Sequence, residues 1–117
     1  MHELGITRNV IEVATAALAE RHVTRNPTAL QLEVGRFTSV VPDAVRFYFE
    51  ILARGTPFEG ADLQIVTVPL RTHCRTCGAD AEPAEPTLLC PVCDGLTEIV
   101  SGRELRLVSI DVPEEAA

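Results

Sequence analysis

The chain has no tryptophan, a single tyrosine and no lysine, and all ten of its basic residues are arginine, set against seventeen acidic ones. The formal charge is −7. Affinity for phosphate backbones comes largely from clustered Lys and Arg, and base stacking needs aromatic platforms. Neither is present, so nucleic acid is excluded as a partner class. No apolar run approaches the roughly 20 residues that a spanning helix needs, so no membrane segment is expected. The start, Met1-His2-Glu3-Leu4, lacks the basic and then apolar layout of a secretory signal. A cytoplasmic protein is therefore the expectation. No nucleophile–base constellation and no glycine-rich phosphate loop appears, and an enzyme is not expected. Cysteine is scarce as well: there are four, all in one short window. The cytosol keeps thiols reduced, which argues against a disulfide framework.

What is present suits one globular domain, with 117 residues of which 46% are hydrophobic. From about Leu4 to His22, apolar residues at Ile6, Val10, Val13, Ala14, Ala17 and Leu18 recur at helical steps. His22, near the end of this helix, would complement the helix dipole. Asn26-Pro27 is a break. In Thr28 to Arg36, Leu30, Leu32 and Val34 alternate with Gln31 and Glu33, as in a half-buried strand. Gly35 near its end suggests a bend or a close backbone contact. Pro42 opens a second helix to about Arg54, with Ala44, Val45, Tyr48, Ile51 and Leu52 on one face and Phe47 and Phe49 widening it. Ala61 to Val68 is a second strand, apolar on both faces, which places it centrally in a sheet. Arg103 to Val112 is a third strand, and the acidic tail from Pro113 to Ala117 is expected to fray.

Between the last two strands the texture changes. Residues 70–98 hold all four cysteines and three of the eight prolines. Such a stretch cannot build a core of its own and needs a metal or disulfide staple. The expected fold is α+β: a small three-stranded sheet with two helices on one face, plus an inserted four-cysteine, zinc-ribbon-like lobe. The expected domains are a helix–sheet unit, 1–69 with 99–117, and a zinc-binding lobe, 70–98.

Cys74-Arg75-Thr76-Cys77 and Cys90-Pro91-Val92-Cys93 are two C-x-x-C knuckles. Thiolate sulfur suits Zn(II), which takes four ligands at tetrahedral corners. Cys74, Cys77, Cys90 and Cys93 fill all four, so the site is closed and structural rather than catalytic. Gly78 and Gly95 follow the knuckles and would permit the backbone conformations needed there. The competing reading is a redox pair at Cys90 and Cys93. That chemistry wants its first cysteine at a helix N-terminus, whereas these lie in a proline-rich loop. His73 adjoins Cys74 and reads as a flanking loop histidine.

Met1-His2-Glu3 alone would be a weak signal, since a glutamate in the first turn also favours the helix dipole. In combination the residues resemble the HypA/HybF family of nickel-incorporation proteins. The matching positions are Met1-His2-Glu3, Val34-Gly35, Pro42, Asp43, Phe47, Phe49, Gly60-Ala61-x-Leu63 and the paired knuckles. The resemblance spans essentially the whole chain, with the tail beyond Val112 a private extension. It implies a metallochaperone that carries Ni(II) as cargo to the large subunit of [NiFe]-hydrogenase, working with a maturation GTPase, and in some members to urease. It also implies a nickel site at His2 with Glu3 beside it, and a structural zinc on a separate lobe.

Chemistry at the start is compatible with that implication. The Met1 amine, the deprotonated His2 amide and the His2 imidazole can close two fused chelate rings on one ion, and three nitrogens in a plane suit Ni(II). A fourth position stays open to Glu3, water or a partner's ligand. The alternative is a zinc-ribbon adaptor that only binds proteins, for which Met1-His2-Glu3 would be incidental. Neither reading fixes whether the protein is a monomer or a homodimer.

Overall fold

The computed structural model describes residues 2–114. Met1, expected to supply an amine ligand, and 115–117, at the end of the tail expected to fray, lie outside the described residues. The elements run α1 (His2–Glu20), β1 (Ala29–Gly35), a single 3₁₀ turn (Arg36–Thr38), α2 (Pro42–Leu52), β2 (Asp62–Val68), β3 (Arg71–Cys74), β4 (Asp80–Ala81), β5 (Thr97–Ser101) and β6 (Leu105–Asp111).

Helix α1 buries the stripe Val10, Ala14 and Leu18 that its apolar spacing marks. It ends in a Schellman turn. The His22 N–H donates to the Ala19 carbonyl at 3.1 Å and the Val23 N–H to the Leu18 carbonyl at 2.9 Å. His22 sits beyond the last turn with φ 56°, so its part in ending the helix is a backbone one. An L-residue in this left-handed conformation is strained by roughly 1–2 kcal/mol. His22→Gly should relieve about 1 kcal/mol of this, read as a higher urea midpoint at unchanged slope.

The first sheet has the order β2-β1-β6, with β1 parallel to β2 and antiparallel to β6. Leu30, Leu32 and Val34 of β1 point at the helices and are each 1% exposed. They join Val45 and Phe49 of α2, Leu63 of β2 and the α1 stripe in one core. On the far face Arg106 of β6 pairs with Glu33 of β1 at 2.9 Å. The two helices thus cover one face, as expected. Val108 is an extra residue in β6, because Gln31 pairs with Ser109 while Leu32 pairs with Leu107. A bulge of this kind bends the strand.

Two expectations need correction. β2 is an edge strand, and β1 takes the centre. The apolar residues on the second face of β2 do not report burial by a layer, since Val66 lies opposite Glu33 and is exposed. Phe47 does not widen the buried face of α2 either; it is 60% exposed, while Phe49 is buried. The aromatic volume comes instead from Phe58, fully buried in the turn after α2. There the Thr56 hydroxyl donates to the Ala53 carbonyl and accepts the Phe58 N–H.

Residues between β2 and β6 form a second antiparallel sheet, of order β4-β3-β5. It runs to Ser101 and so takes in residues 99–101, which the sequence reading assigned to the helix–sheet unit. The two sheets meet at a neck made of Leu70 and Gly102. Leu70 is 1% exposed. Gly102 has φ 118°, and a Cβ there would lie 2.8 Å from the Leu70 Cα. The Phe37 N–H donates to the Gly102 carbonyl, the Gly35 N–H to the Glu104 carbonyl, and the Gly102 N–H to the Glu104 carboxylate. Arg36 reaches across to the Ala84 carbonyl at 2.8 Å.

Candidate metal centres

Cys74 ends β3, while Cys90 and Cys93 lie on the turn before β5. The two knuckles are built alike. The Cys74 N–H donates to the Ala79 carbonyl and the Gly78 N–H to the Cys74 carbonyl. In the second knuckle the Cys90 N–H donates to the Gly95 carbonyl and the Asp94 N–H to the Cys90 carbonyl. The left-handed residue is Gly78 in one and Asp94 in the other, with φ 79° and 61°. Gly95 therefore serves a different purpose from the one its position suggested. A Cβ on it would press on Cys93 Sγ at 3.2 Å and Cys74 Sγ at 3.7 Å, so it leaves room for the sulfurs.

All four Sγ atoms lie within 4.8 Å of one another. Cys74 to Cys93 and Cys77 to Cys90 are each 3.6 Å apart. A tetrahedral ion with metal–sulfur bonds of about 2.3 Å gives sulfur–sulfur edges of about 3.8 Å, so the donor set fits zinc. A disulfide would need about 2.05 Å, and no such pair forms. Cys90 does not head a helix either, which removes the structural basis of the redox reading.

Without a metal the thiols do not ionise alike. The Cys77 N–H, working against burial, draws Cys74 down to about 6. The Gly95 N–H pulls Cys93 down, but the Cys74 sulfur and burial outweigh it and push Cys93 up to about 12. Metal binding therefore displaces protons, and acid opposes it. His73 is not part of this centre. It stands on β3, not in a loop, and its Nδ1 meets Asp80 Oδ1 across the sheet at 2.7 Å. That hydrogen bond raises its pKa. On the other side of β3, Arg75 donates to Glu98 of β5 at 2.9 Å, a bond that lowers the Glu98 carboxyl.

At the other end of the chain, the first two described residues diverge. The His2 side chain is 58% exposed. Glu3 is turned inward and is only 7% exposed. Its Oε2 accepts the N–H of Val41, the residue that caps α2, at 3.2 Å. The same oxygen lies 3.6 Å from His2 Nε2. The sequence shows Glu3 only as a first-turn acid; its contact with Val41, 38 residues away, leaves no local pattern.

The family model for hydrogenase/urease nickel incorporation, metallochaperone, HypA, matches residues 1–112. The chain belongs to the HypA family. A hydrogenase maturation factor HypA from Chloroflexus aurantiacus is 44% identical over 115 residues, covering 97% of this chain and all of that protein. One from Desulfatibacillum aliphaticivorans is 38% identical, covering 98% and 91%. The fold agrees with the solution structure of the Ni metallochaperone HypA from Helicobacter pylori. That structure has a TM-score of 0.70 at 19% identity and covers 98% of this chain and 100% of the other. The expected family is thereby shown, and so is the α+β fold with its cysteine lobe. No described helix is long and apolar enough to cross a membrane.

Proposed function

We propose that this chain is a nickel metallochaperone that carries Ni(II) to [NiFe]-hydrogenase during maturation, with urease as a second class of recipient. It is a carrier and not an enzyme, and it acts in the cytoplasm. The cargo site is the start of the chain, anchored by His2, while Cys74, Cys77, Cys90 and Cys93 hold structural zinc. The helix–sheet unit and the zinc lobe act as separate modules, the lobe inserted between β2 and β6. The observation that carries the reading is the state of His2. Its imidazole is exposed, and it is the first residue of α1. A first-turn N–H has no intrahelical acceptor, so its amide can lose a proton to a metal without breaking a helix bond.

The partners that fit are a maturation GTPase and the hydrogenase large subunit. Phe47 and Ile51, one helical turn apart on α2, form an exposed apolar surface suited to such docking. The test is titration of nickel into untagged, zinc-loaded protein and its His2→Ala variant. His2→Ala should lose nickel binding at unchanged zinc content, and a residue added before Met1 should weaken binding or alter the ion's geometry. Undiminished nickel affinity in His2→Ala would sink the site and favour an adaptor.

A further inference from the structure

The Glu3 carboxylate stands at a junction that the nickel reading leaves unexplained. It is nearly buried, yet it sits beside the exposed His2 imidazole. Among the described residues, its Oε2 faces the Val41 N–H at 3.2 Å and His2 Nε2 at 3.6 Å. Val41 has extended backbone, φ −91° and ψ 111°, immediately before α2 begins at Pro42. Glu3 therefore ties the first turn of α1 to the first turn of α2.

Chelate chemistry decides which imidazole nitrogen matters. If the His2 amide nitrogen binds an ion, the ring closed by the same residue's imidazole has six members through Nδ1. Closing it through Nε2 would need at least seven, with the ring nitrogen facing away from the amide. Nδ1 is therefore the donor, and Nε2 carries the proton. Nε2 is the nitrogen that faces Glu3. Metal-binding histidines commonly give their second N–H to a carboxylate, which fixes the tautomer and the ring orientation and raises ligand basicity.

We infer that Glu3 is a positioning residue: its carboxylate, held by the Val41 N–H, receives the His2 Nε2–H and leaves Nδ1 for nickel, and it does not itself ligate the ion. This rests on the proposed nickel site at His2. A carboxylate that moved to the metal would leave the Val41 N–H without this acceptor, and Nε2 without its partner. At 3.6 Å the pair is longer than a hydrogen bond, so this role requires the exposed imidazole to move closer to the carboxylate when the ion is held.

The experiment uses the untagged, zinc-loaded full chain and its Glu3→Gln, Glu3→Ala and His2→Ala variants. Nickel affinity is measured by competition with a colorimetric chelator. The donor set is read from the ligand-field spectrum and X-ray absorption of the nickel-loaded protein. Zinc content and the thermal midpoint verify folding. Glu3→Ala should lower nickel affinity about 10- to 100-fold, the usual cost of losing an outer partner, with the donor set unchanged. Glu3→Gln, whose amide oxygen can accept both N–H groups, should recover much of that loss. A purely structural role would lower the thermal midpoint without such rescue of affinity. A changed donor set in Glu3→Ala, or wild-type affinity there while His2→Ala has lost nickel, overturns the inference alone. Wild-type affinity in His2→Ala removes the nickel reading itself.

Discussion

Stripping the metal from the four cysteines should unfold the second sheet and leave the first one standing. Cys77→Ser should do the same, and it is the informative substitution because Cys77 is exposed, so little packing is lost with its sulfur. In the lobe, the fully buried residues are Leu70, Thr72, Cys74 and Cys90, two of which are ligands. That is far too little apolar surface to order some thirty residues at about 1–2 kcal/mol of backbone entropy each. Structural zinc supplies an apparent ~10–16 kcal/mol in small zinc-finger peptides, which is enough. NMR spectra should show residues 71–101 collapsing to disordered shifts after chelation, while Leu30, Leu32 and Phe49 keep dispersed ones. Acid should act as chelation does. The metal needs all four thiolates, so its binding is complete at high pH and is lost as pH falls and protons compete for the sulfurs. Simultaneous collapse of both sheets at the first loss of metal would disprove the two-module reading.

Gly35→Ala should be the most damaging single methyl in the chain. The backbone at Gly35 is ordinary, φ −75° and ψ 143°, so any residue could adopt it. Space is what forbids a side chain: a Cβ there would lie 2.0 Å from the Gly102 carbonyl oxygen and 2.7 Å from the Arg103 nitrogen. Those atoms are main chain and cannot swing aside. Relief requires parting the end of β1 from the start of β6, at the cost of the 2.7 Å bond from Gly35 N–H to the Glu104 carbonyl. Overpacking of this kind costs about 3 kcal/mol or more. Urea unfolding should show the loss at unchanged zinc stoichiometry. A variant within about 0.5 kcal/mol of the parent would mean that the neck is looser than this packing implies.

Much of this was legible in the residues. The stripe Val10, Ala14 and Leu18 and the alternation Leu30, Leu32, Val34 carry long, regular periods, and both elements lie where those periods place them. The close approach at Gly35 could be suspected from one glycine ending a strand, although its partner, Gly102, could not. The cysteine spacing marks the zinc site because the geometry of the ion leaves few alternatives. The three strands of the lobe were invisible for the opposite reason. Arg71–Cys74 and Asp80–Ala81 have no apolar alternation to read, since the knuckles rather than a core bring them together. β2 misled because apolar residues on a second face need not be covered. Glu3 reads as a first-turn acid and, through the resemblance, as a neighbour of His2. Its contact with Val41 is tertiary and leaves no local pattern.

The neck also bears on chain entropy. β6 cannot pair with β1 until about thirty intervening residues have been brought back to their starting point. For a flexible loop of that length, closure costs about 3 kcal/mol. Once the lobe is folded, its ends at Leu70 and Gly102 already touch, and nearly all of that cost has been met within the lobe. The cysteines thus act as a clasp that shortens the longest connection in the first sheet. Loss of the ion should lower the stability of that sheet by a few kcal/mol, although none of its strands contributes a ligand.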